Sequence, residues 1–289
     1  HLHCIGGSTR CLEPQYVFPR QISIRPMKTT RNTAFTLIEL LVVIAILAVL
    51  AGIGSAGLLS AADKAKTATE TAAARTLISA YQAAAADNGG RYLAARDTSA
   101  VNVLNGEGKP VNNRQVRARY PFRLAPYFNY AIESTLLAGD NRQQLLKVMN
   151  LSSPSGSMYD YGVSAFPSFG INRYFVGGTA GQTNSDCVHS VGQADRSIIA
   201  FVSAGSSEIN GYEYVRAPGE PGGGWGGGEW TEDSDPSQFG FVHPRHGGKA
   251  IAAFLDGSTR LMTIEDLRDM RLWSRQAAQE NNPKYTAGQ

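Results

Sequence analysis

Residues 35–59 read FTLIELLVVIAILAVLAGIGSAGLL, and Glu39 carries the only ionisable side chain in that run. An α-helix rises about 1.5 Å per residue, so roughly 20 apolar residues cross the roughly 30 Å hydrocarbon core of a bilayer. The run therefore predicts a single-pass transmembrane helix. Basic residues precede it, namely Arg25, Lys28 and Arg31. By the positive-inside rule, the N-terminal side is expected in the cytoplasm and the rest of the chain on the exported side.

A cleavable secretory signal is the first alternative for this segment. The apolar run is longer than the usual signal-peptide core of about 7–15 residues, and no small-x-small cleavage site is clear. Ala51, Gly52, Gly54 and Ser55 are small, however, so a cleavable secretory signal stays open as an alternative.

Glu39 raises a second question, because a carboxylate inside a membrane helix is unfavourable unless it finds a partner, stays protonated or reaches the membrane edge.

The sequence KTTRNTA at residues 28–34, followed by FTLIELL at residues 35–41, resembles the N-terminal signal of type IV prepilins and type II secretion pseudopilins. In that family a dedicated peptidase cuts before the Phe and then methylates the new amino terminus. The resemblance implies cleavage between Ala34 and Phe35, N-methylation of Phe35, and an assembly role for Glu39. Ala34 stands where the family usually has glycine.

In an assembled filament of this family, the N-terminal helices pack together away from water. The Phe35 ammonium of one subunit is then expected to pair with Glu39 of a neighbour, which removes two unfavourable buried charges together. The resemblance also implies a short leader over residues 27–34. Residues 1–26 contain no periodic pattern and are interpreted as upstream sequence or an extended leader.

After the apolar run, residues 60–88 continue as an amphipathic helix that is rich in alanine and free of proline. Asn88-Gly89-Gly90 is expected to end it. The predicted fold is α+β: a long N-terminal helix, whose first half spans the membrane, packs on an antiparallel β-sheet head with loop insertions. The head covers residues 89–280 and ends in a short C-terminal helix. Residues 281–289 are predicted to be a mobile tail.

Local patterns predict the elements of the head. Lys249–Leu255 and Thr259–Met262 are expected to form a hairpin around the turn Asp256-Gly257. The other expectations are strands at residues 197–203 and 212–215, extended structure at 161–176, an ordered loop at 119–127, short helices at 131–137 and 142–149, and a last helix over 264–279 that starts with a capping box at Thr263 and Asp266.

His246, nine intervening residues and Asp256-Gly257 resemble a C-terminal motif of a large pilin-like family that carries the same N-terminal signal. His243 and His246 with Asp256 also suggest a metal or catalytic site, but a His-x-x-His loop without a third ligand or a nucleophile is weak evidence. The favoured interpretation is structural. In it, His246 caps the hairpin by hydrogen bonding, and Asp256-Gly257 makes the turn.

Residues 217–240 form a long loop rich in glycine, proline and acids. Calcium prefers clustered oxygen ligands, so the acids of this loop are candidates for a calcium site: Glu229, Glu232, Asp233 and Asp235. Their spacing matches no defined calcium loop, and ordinary solvated turns are the favoured interpretation. Trp225 and Trp230 in the same loop offer aromatic surfaces on which a sugar can stack.

Composition argues against several classes of function. A net charge of +3 and the lack of a Lys/Arg-rich run give no reason to expect nucleic acid as a partner. Cys4 and Cys11 lie upstream of Met27, in the segment interpreted as upstream sequence or an extended leader. The mature chain is then expected to keep Cys187 alone, and no disulfide framework is predicted. No P-loop, HExxH or nucleophile-elbow signature occurs, so neither an enzyme activity nor a cofactor is expected.

The favoured function is a structural subunit of a type II secretion-like filament at the bacterial inner membrane, with its head in the periplasm. The implied partners are the prepilin peptidase, other pilin-like subunits, the inner membrane and a secretion assembly platform. A subunit of a surface type IV pilus, used for adhesion, motility or DNA uptake, is the alternative. The lack of a C-terminal cysteine pair favours the secretion filament. A membrane-anchored hydrolase or carbohydrate binder is a third hypothesis.

Overall fold

The computed structural model describes residues 36–181, 184–193, 197–223 and 225–288, with the side chains of residues 50–60 excepted. The chain divides into two units after Gly54. The helices in the described ranges are α1 Leu37–Asp87, α2 Arg114–Ala118, α3 Tyr120–Leu124, α4 Ile132–Leu136, α5 Asn141–Val148, α6 Ser157–Ala165, α7 Ile264–Leu267 and α8 Arg275–Gln279. The strands are β1 Phe169–Asn172, β2 Ile199–Ser203, β3 Tyr214–Val215, β4 Ala250–Phe254 and β5 Thr259–Met262.

The long helix α1 follows directly from its composition. Alanine has the best helix propensity, and no proline interrupts residues 37–87. The helix ends at Asp87, just before Asn88-Gly89-Gly90, as predicted. Its C-terminal part buries one face at helical spacing, made by Ala73, Ala74, Leu77, Ile78, Ala80, Tyr81, Ala84 and Ala85.

None of the helices in the described part of the chain has the length and apolar character that crossing a bilayer requires. The predicted span at residues 35–59 lies partly outside the described residues, since Phe35 and the side chains of residues 50–59 are not among them. The predicted leader at residues 27–34 and the upstream segment at residues 1–26 lie outside them entirely.

The five strands form one sheet in the order β3-β1-β2-β4-β5. Three pairings are antiparallel, but β1 and β3 are parallel. The prediction of an antiparallel sheet is therefore wrong at this edge, and the sheet is mixed. The strands β2 and β3 follow one another in the chain and run in opposite directions, but β1 lies between them in the sheet. Because β1 is antiparallel to β2, it is parallel to β3.

The three central strands β1, β2 and β4 are buried on both faces, which explains why β4 is apolar at every position. Successive side chains of a strand point to opposite faces. Accordingly, Ile251 and Ala253 join the core formed with α1, whereas Ala250, Ala252 and Phe254 join a second core. That second core contains the fully buried Trp273, together with Ile264 and Leu267 of α7. The head thus has α1 on one side of the sheet and the C-terminal helices on the other.

The hairpin β4–β5 confirms its prediction, with β5 at the predicted residues Thr259–Met262. The strand predictions at 197–203 and 212–215 are confirmed by β2 and β3, and the two short helices by α4 and α5.

Three other predictions are wrong. Residues 119–127 are not a loop, because Pro121 and Pro126 occupy the first turns of α3 and of a 3-10 helix, Ala125–Phe128. Proline suits that position, since its missing N–H has no helical partner there.

Residues 161–176 are helical over the end of α6 and extended only in β1. The last helix is broken into α7, a 3-10 helix Met270–Leu272, and α8. Thr263 and Asp266 form the predicted capping box. The break follows from two further caps, because Asp269 accepts from the Arg271 N–H and Ser274 from the Ala277 N–H.

The C-terminal tail, predicted to be mobile, makes specific contacts with the head. The Tyr285 hydroxyl donates to the Asp186 carboxylate at 2.6 Å. Ala287 is buried, and its N–H donates to the carbonyl of Gly219 at 3.0 Å. The tail therefore packs on the head between residues 282 and 287.

Candidate functional site

Glu39 lies in the first turn of α1 and forms a reciprocal capping box with Thr36. The Thr36 N–H and hydroxyl both donate to Glu39 Oε2, at 2.9 and 2.8 Å. In return, the Glu39 N–H donates to Thr36 Oγ1 at 3.3 Å. Two otherwise unpaired donors at the helix start are satisfied in this way. Both side-chain bonds use Oε2, so Oε1 accepts no hydrogen bond from the residues that the structure describes.

The predicted processing residues Ala34 and Phe35 lie outside the described residues. Thr36 follows Phe35 directly, so the Glu39 carboxylate is held close to the start of the predicted mature chain. The capping pattern T-x-x-E is readable from the sequence, and it adds a local structural role for Glu39 to the assembly role that the resemblance implies.

The turns of α1 that follow are apolar and exposed on every side. Large side chains there are between 45% and 80% exposed, at Leu37, Ile38, Leu40, Leu41, Val42, Val43, Ile44, Ile46, Leu47 and Val49. A contiguous apolar surface of this kind marks a surface that contacts protein or membrane.

A second cluster, which we call the clasp, joins α1 to the residues just before β4. It consists of Thr67 and Glu70 of α1 together with Arg245 and His246. The Glu70 side chain is only 5% exposed. Its Oε2 accepts from Arg245 Nε at 2.8 Å and lies 3.1 Å from His246 Nε2. The other ring nitrogen of His246 lies 3.2 Å from Thr67 Oγ1. The residues just before β4 are therefore attached to α1 through a buried carboxylate.

The electrostatics of the clasp favour the ionised carboxylate. Burial alone raises the pKa of Glu70, but the Arg245 charge and the hydrogen bonds from His246 and Arg245 outweigh it, and the pKa is lowered overall. The Arg245 guanidinium also donates to the carbonyls of Ala204 and Ser168, each at 2.9 Å. Arg245 thus links α1 to the ends of β1 and β2.

The other end of the His-x9-Asp-Gly motif also lies against α1. Asp256 makes the turn, since its Oδ1 accepts from the Ser258 N–H at 2.7 Å. Gly257 has a φ of +87°, which only glycine adopts without strain. Just before it, the Leu255 carbonyl accepts from Gln82 Nε2 at 2.9 Å. Glu70 and Gln82 are about 18 Å apart along the helix at 1.5 Å per residue, so the β4 segment is held to α1 at both of its ends.

The structure does not bring His243 into the clasp. Its ring packs edge-on against Trp230 at a centroid distance of 5.6 Å. Burial, reinforced by the nearby Arg245 charge, lowers the pKa of His243 to about 4. Within the described ranges, no three His, Cys, Asp or Glu side chains converge as metal ligands.

The acidic loop shows no convergence of its candidate calcium ligands. Glu229, Glu232 and Asp233 are exposed, and Asp235 caps the 3-10 helix Pro236–Phe239 by accepting from the Ser237 N–H. The tryptophans of the loop are part of the packing. Trp225 donates to the Arg216 carbonyl at 2.8 Å and packs edge-on against Trp273. Trp230 packs edge-on against Phe239.

Residues 29–55 match the family model of the prokaryotic N-terminal methylation motif. The chain carries the signature of type IV pilin-like proteins. The match contains the predicted cleavage point and Glu39. No curated protein and no solved structure matches the chain.

The signature supports a type IV pilin-like subunit, either a pseudopilin or a pilin. It implies processing by a prepilin peptidase, assembly with other pilin-like subunits, and attachment to a membrane or the envelope. Subunits of this kind are usually non-enzymatic.

In this pilin-like chain, sequence patterns indicate His246 but not the other members of the clasp, Thr67, Glu70 and Arg245. One signal was available: Glu70 is a carboxylate on the helical face that continues through Ala74, Leu77 and Tyr81. A charge within a buried stripe requires a partner, because burying it alone is costly.

Replacing Glu70 with Ala is expected to destabilise the head by about 3–5 kcal/mol, because it leaves Arg245 buried without its counter-charge. Lys66→Ala is the matched control. Lys66 pairs with Asp140 at 2.8 Å, but both side chains are about half exposed, and exposed pairs contribute little to stability. Denaturant unfolding followed by tryptophan fluorescence measures both. Equal losses in the two variants would contradict the importance of the clasp.

The clasp also predicts a dependence of stability on pH. The pKa of Glu70 is lowered in the folded chain from its ordinary value of 4.5. The unfolded chain therefore binds more protons in the acid range, so the stabilisation is complete above about pH 5 and is lost as the pH falls through the lowered value. Unfolding free energies from neutral pH to about pH 3 should fall more steeply for the native chain than for Glu70→Gln. Parallel curves would show that Glu70 does not contribute.

Proposed function

We propose that this chain is a structural subunit of a type II secretion-like envelope filament. The methylation motif at residues 29–55 is the observation that carries the proposal. In this proposal the prepilin peptidase cuts between Ala34 and Phe35 and methylates Phe35. The shortened chain then joins other pilin-like subunits through the exposed apolar surface at the start of α1.

Before assembly, the apolar run at residues 35–59 would hold the chain in the bacterial inner membrane as a single-pass protein. The basic residues before the run support a cytoplasmic N-terminal side and a periplasmic head. A secretion assembly platform would collect the subunits from the membrane. The hydrophobic surface at Leu37–Val49 would then exchange lipid contacts for contacts with the helices of neighbouring subunits.

The geometry at Glu39 supports a pairing role in assembly. Thr36 occupies Oε2, whereas Oε1 accepts no hydrogen bond from the described residues. A neighbour's N-methylated Phe35 ammonium can therefore bind Oε1 without breaking the capping box. Such pairing neutralises two charges that would otherwise be buried among apolar helices. It fixes the axial register between subunits, because it joins one atom pair near the ends of two helices.

A surface type IV pilus is the second candidate, because the methylation motif is common to pilins and pseudopilins. Cys187 is a free, buried thiol, and no disulfide occurs among the described residues. The lack of a cysteine pair near the C-terminus is the reason to prefer the secretion filament.

The processing step is tested by intact mass and N-terminal sequencing of the protein from membranes of cells that contain the peptidase. The expected terminus is N-methyl-Phe35. A terminus at Met27, or one near Ser55 as a secretory signal would leave, would overturn the proposal.

The role of Glu39 is tested by substitutions that separate capping from charge. Glu39→Gln retains a side chain that can complete a capping box, but it cannot neutralise an ammonium. Thr36→Ala removes the capping hydroxyl and keeps the carboxylate. We expect Glu39→Gln and Glu39→Ala to abolish incorporation into filaments, with Thr36→Ala retaining it. The measurement is the fraction of the protein in sheared, pelleted filaments relative to the membrane fraction.

If Glu39→Gln assembled like the native chain, Glu39 would serve only to cap the helix and the pairing role would be wrong. Membrane amounts of each variant, measured by immunoblot, control for stability before assembly.

A further inference from the structure

A cavity of about 610 Å³ opens beside the C-terminal end of α1. Its volume falls within the range of about 300–1,000 Å³ that is typical of small-molecule sites. None of its lining residues belongs to the N-terminal motif or the clasp. The side chains that carry the argument are Asp87, Arg91, Asp97, Arg123, Tyr127 and His189.

The wall of the cavity at residues 93–97 is held in place by buried hydrogen bonds. Arg123 Nη2 donates to the carbonyls of Ala94, Ala95 and Ala118 at 2.6, 3.2 and 3.0 Å. Gly177 packs against this wall so closely that a Cβ there would lie 2.5 Å from the Leu93 carbonyl oxygen. One wall of the cavity is therefore ordered backbone, held by Arg123 and packed against Gly177.

The formal charges around the cavity balance. Asp87 and Asp97 contribute two carboxylates, and Arg91 and Arg123 contribute two guanidiniums. Burial lowers the pKa of Arg123 to about 10, so it stays protonated at neutral pH. An anionic or a cationic ligand would meet like charges as well as opposite ones. A neutral ligand meets no such penalty.

The cavity also offers donors and acceptors that the fold does not use. The Arg91 guanidinium and the His189 ring have no hydrogen-bond or ion-pair partner among the described residues. The Asp87 carboxylate interacts with the Tyr127 hydroxyl, and the Tyr127 residue is 36% exposed. Charged groups of both signs next to an exposed aromatic ring suit a molecule with many hydroxyl groups and one apolar face.

We propose that this cavity binds a neutral saccharide, with its hydroxyl groups hydrogen-bonded to Asp87, Arg91 and His189 and its apolar face on Tyr127. The site lies in the head and does not depend on how the filament assembles. It uses none of the residues of the Gly-rich loop, whose tryptophans pack into the head instead.

The test uses the full chain, purified in a detergent without a sugar headgroup. The probes are neutral oligosaccharides (cellotriose, maltotriose, xylotriose and chitotriose), with trigalacturonic acid as the charged comparison. Saturation-transfer NMR and calorimetric titration measure binding. We expect at least one neutral probe to bind with a Kd of about 1 mM or tighter, and the charged probe to bind more weakly.

Two variants locate the binding. The double substitution Arg91→Ala, His189→Ala removes the unused polar groups. Ala180→Trp fills the cavity through an exposed lining residue and keeps those groups. Each is expected to weaken binding at least about tenfold, whereas Lys147→Ala, an exposed change on α5 outside the cavity, leaves it unchanged. Circular dichroism melting curves check folding.

The proposal is overturned if no neutral probe binds, if trigalacturonic acid binds more tightly than every neutral probe, or if the cavity variants bind like the native chain. Because the purified chain is measured without filaments, failure of this test leaves the assembly proposal unaffected, and the reverse also holds.

Discussion

The fold of the head depends on one buried carboxylate. Glu70 lies on the face of α1 that packs against the sheet, and an ionised group can be buried there only with compensating partners. Arg245 and His246 supply them, and their position immediately before β4 determines where that strand meets the helix. Arg245 carries the constraint onward to the ends of β1 and β2 through two backbone carbonyls. The clasp therefore ties α1 to three strands of the sheet by directional polar contacts, in addition to the apolar packing.

Glu39 and Glu70 are carboxylates of the same helix used in different ways. Glu70 has its partners within the chain, and its charge is satisfied in the isolated subunit. Glu39 is only half satisfied, because Thr36 engages one oxygen and the described residues leave the other without a hydrogen bond. In the proposed filament, another subunit would supply the missing partner. Glu70 therefore holds the head together, whereas the role proposed for Glu39 lies between subunits.

Sequence patterns succeeded where a single local rule decides the structure. The helix end at Asn88-Gly89-Gly90, the hairpin around Asp256-Gly257 and the capping box at Thr263 depend on neighbouring residues only. Sequence patterns failed where two local rules compete. The prolines at 121 and 126 were interpreted as loop residues, although proline also begins helices. Sequence patterns do not reveal the clasp for a different reason: Glu70 and Arg245 are 175 positions apart in the chain.

By itself, the sequence determined the apolar helix with its single early carboxylate, the methylation signature and the C-terminal hairpin, because these depend on composition and short-range spacing. The tertiary structure alone decided which polar residues meet. It placed Glu70 against Arg245 and His246, paired β3 in parallel with β1, and gathered residues from four separate stretches of the chain around the cavity at the end of α1. The physical reason is that such contacts depend on the path of the chain between distant residues, and short-range patterns carry no information about that path.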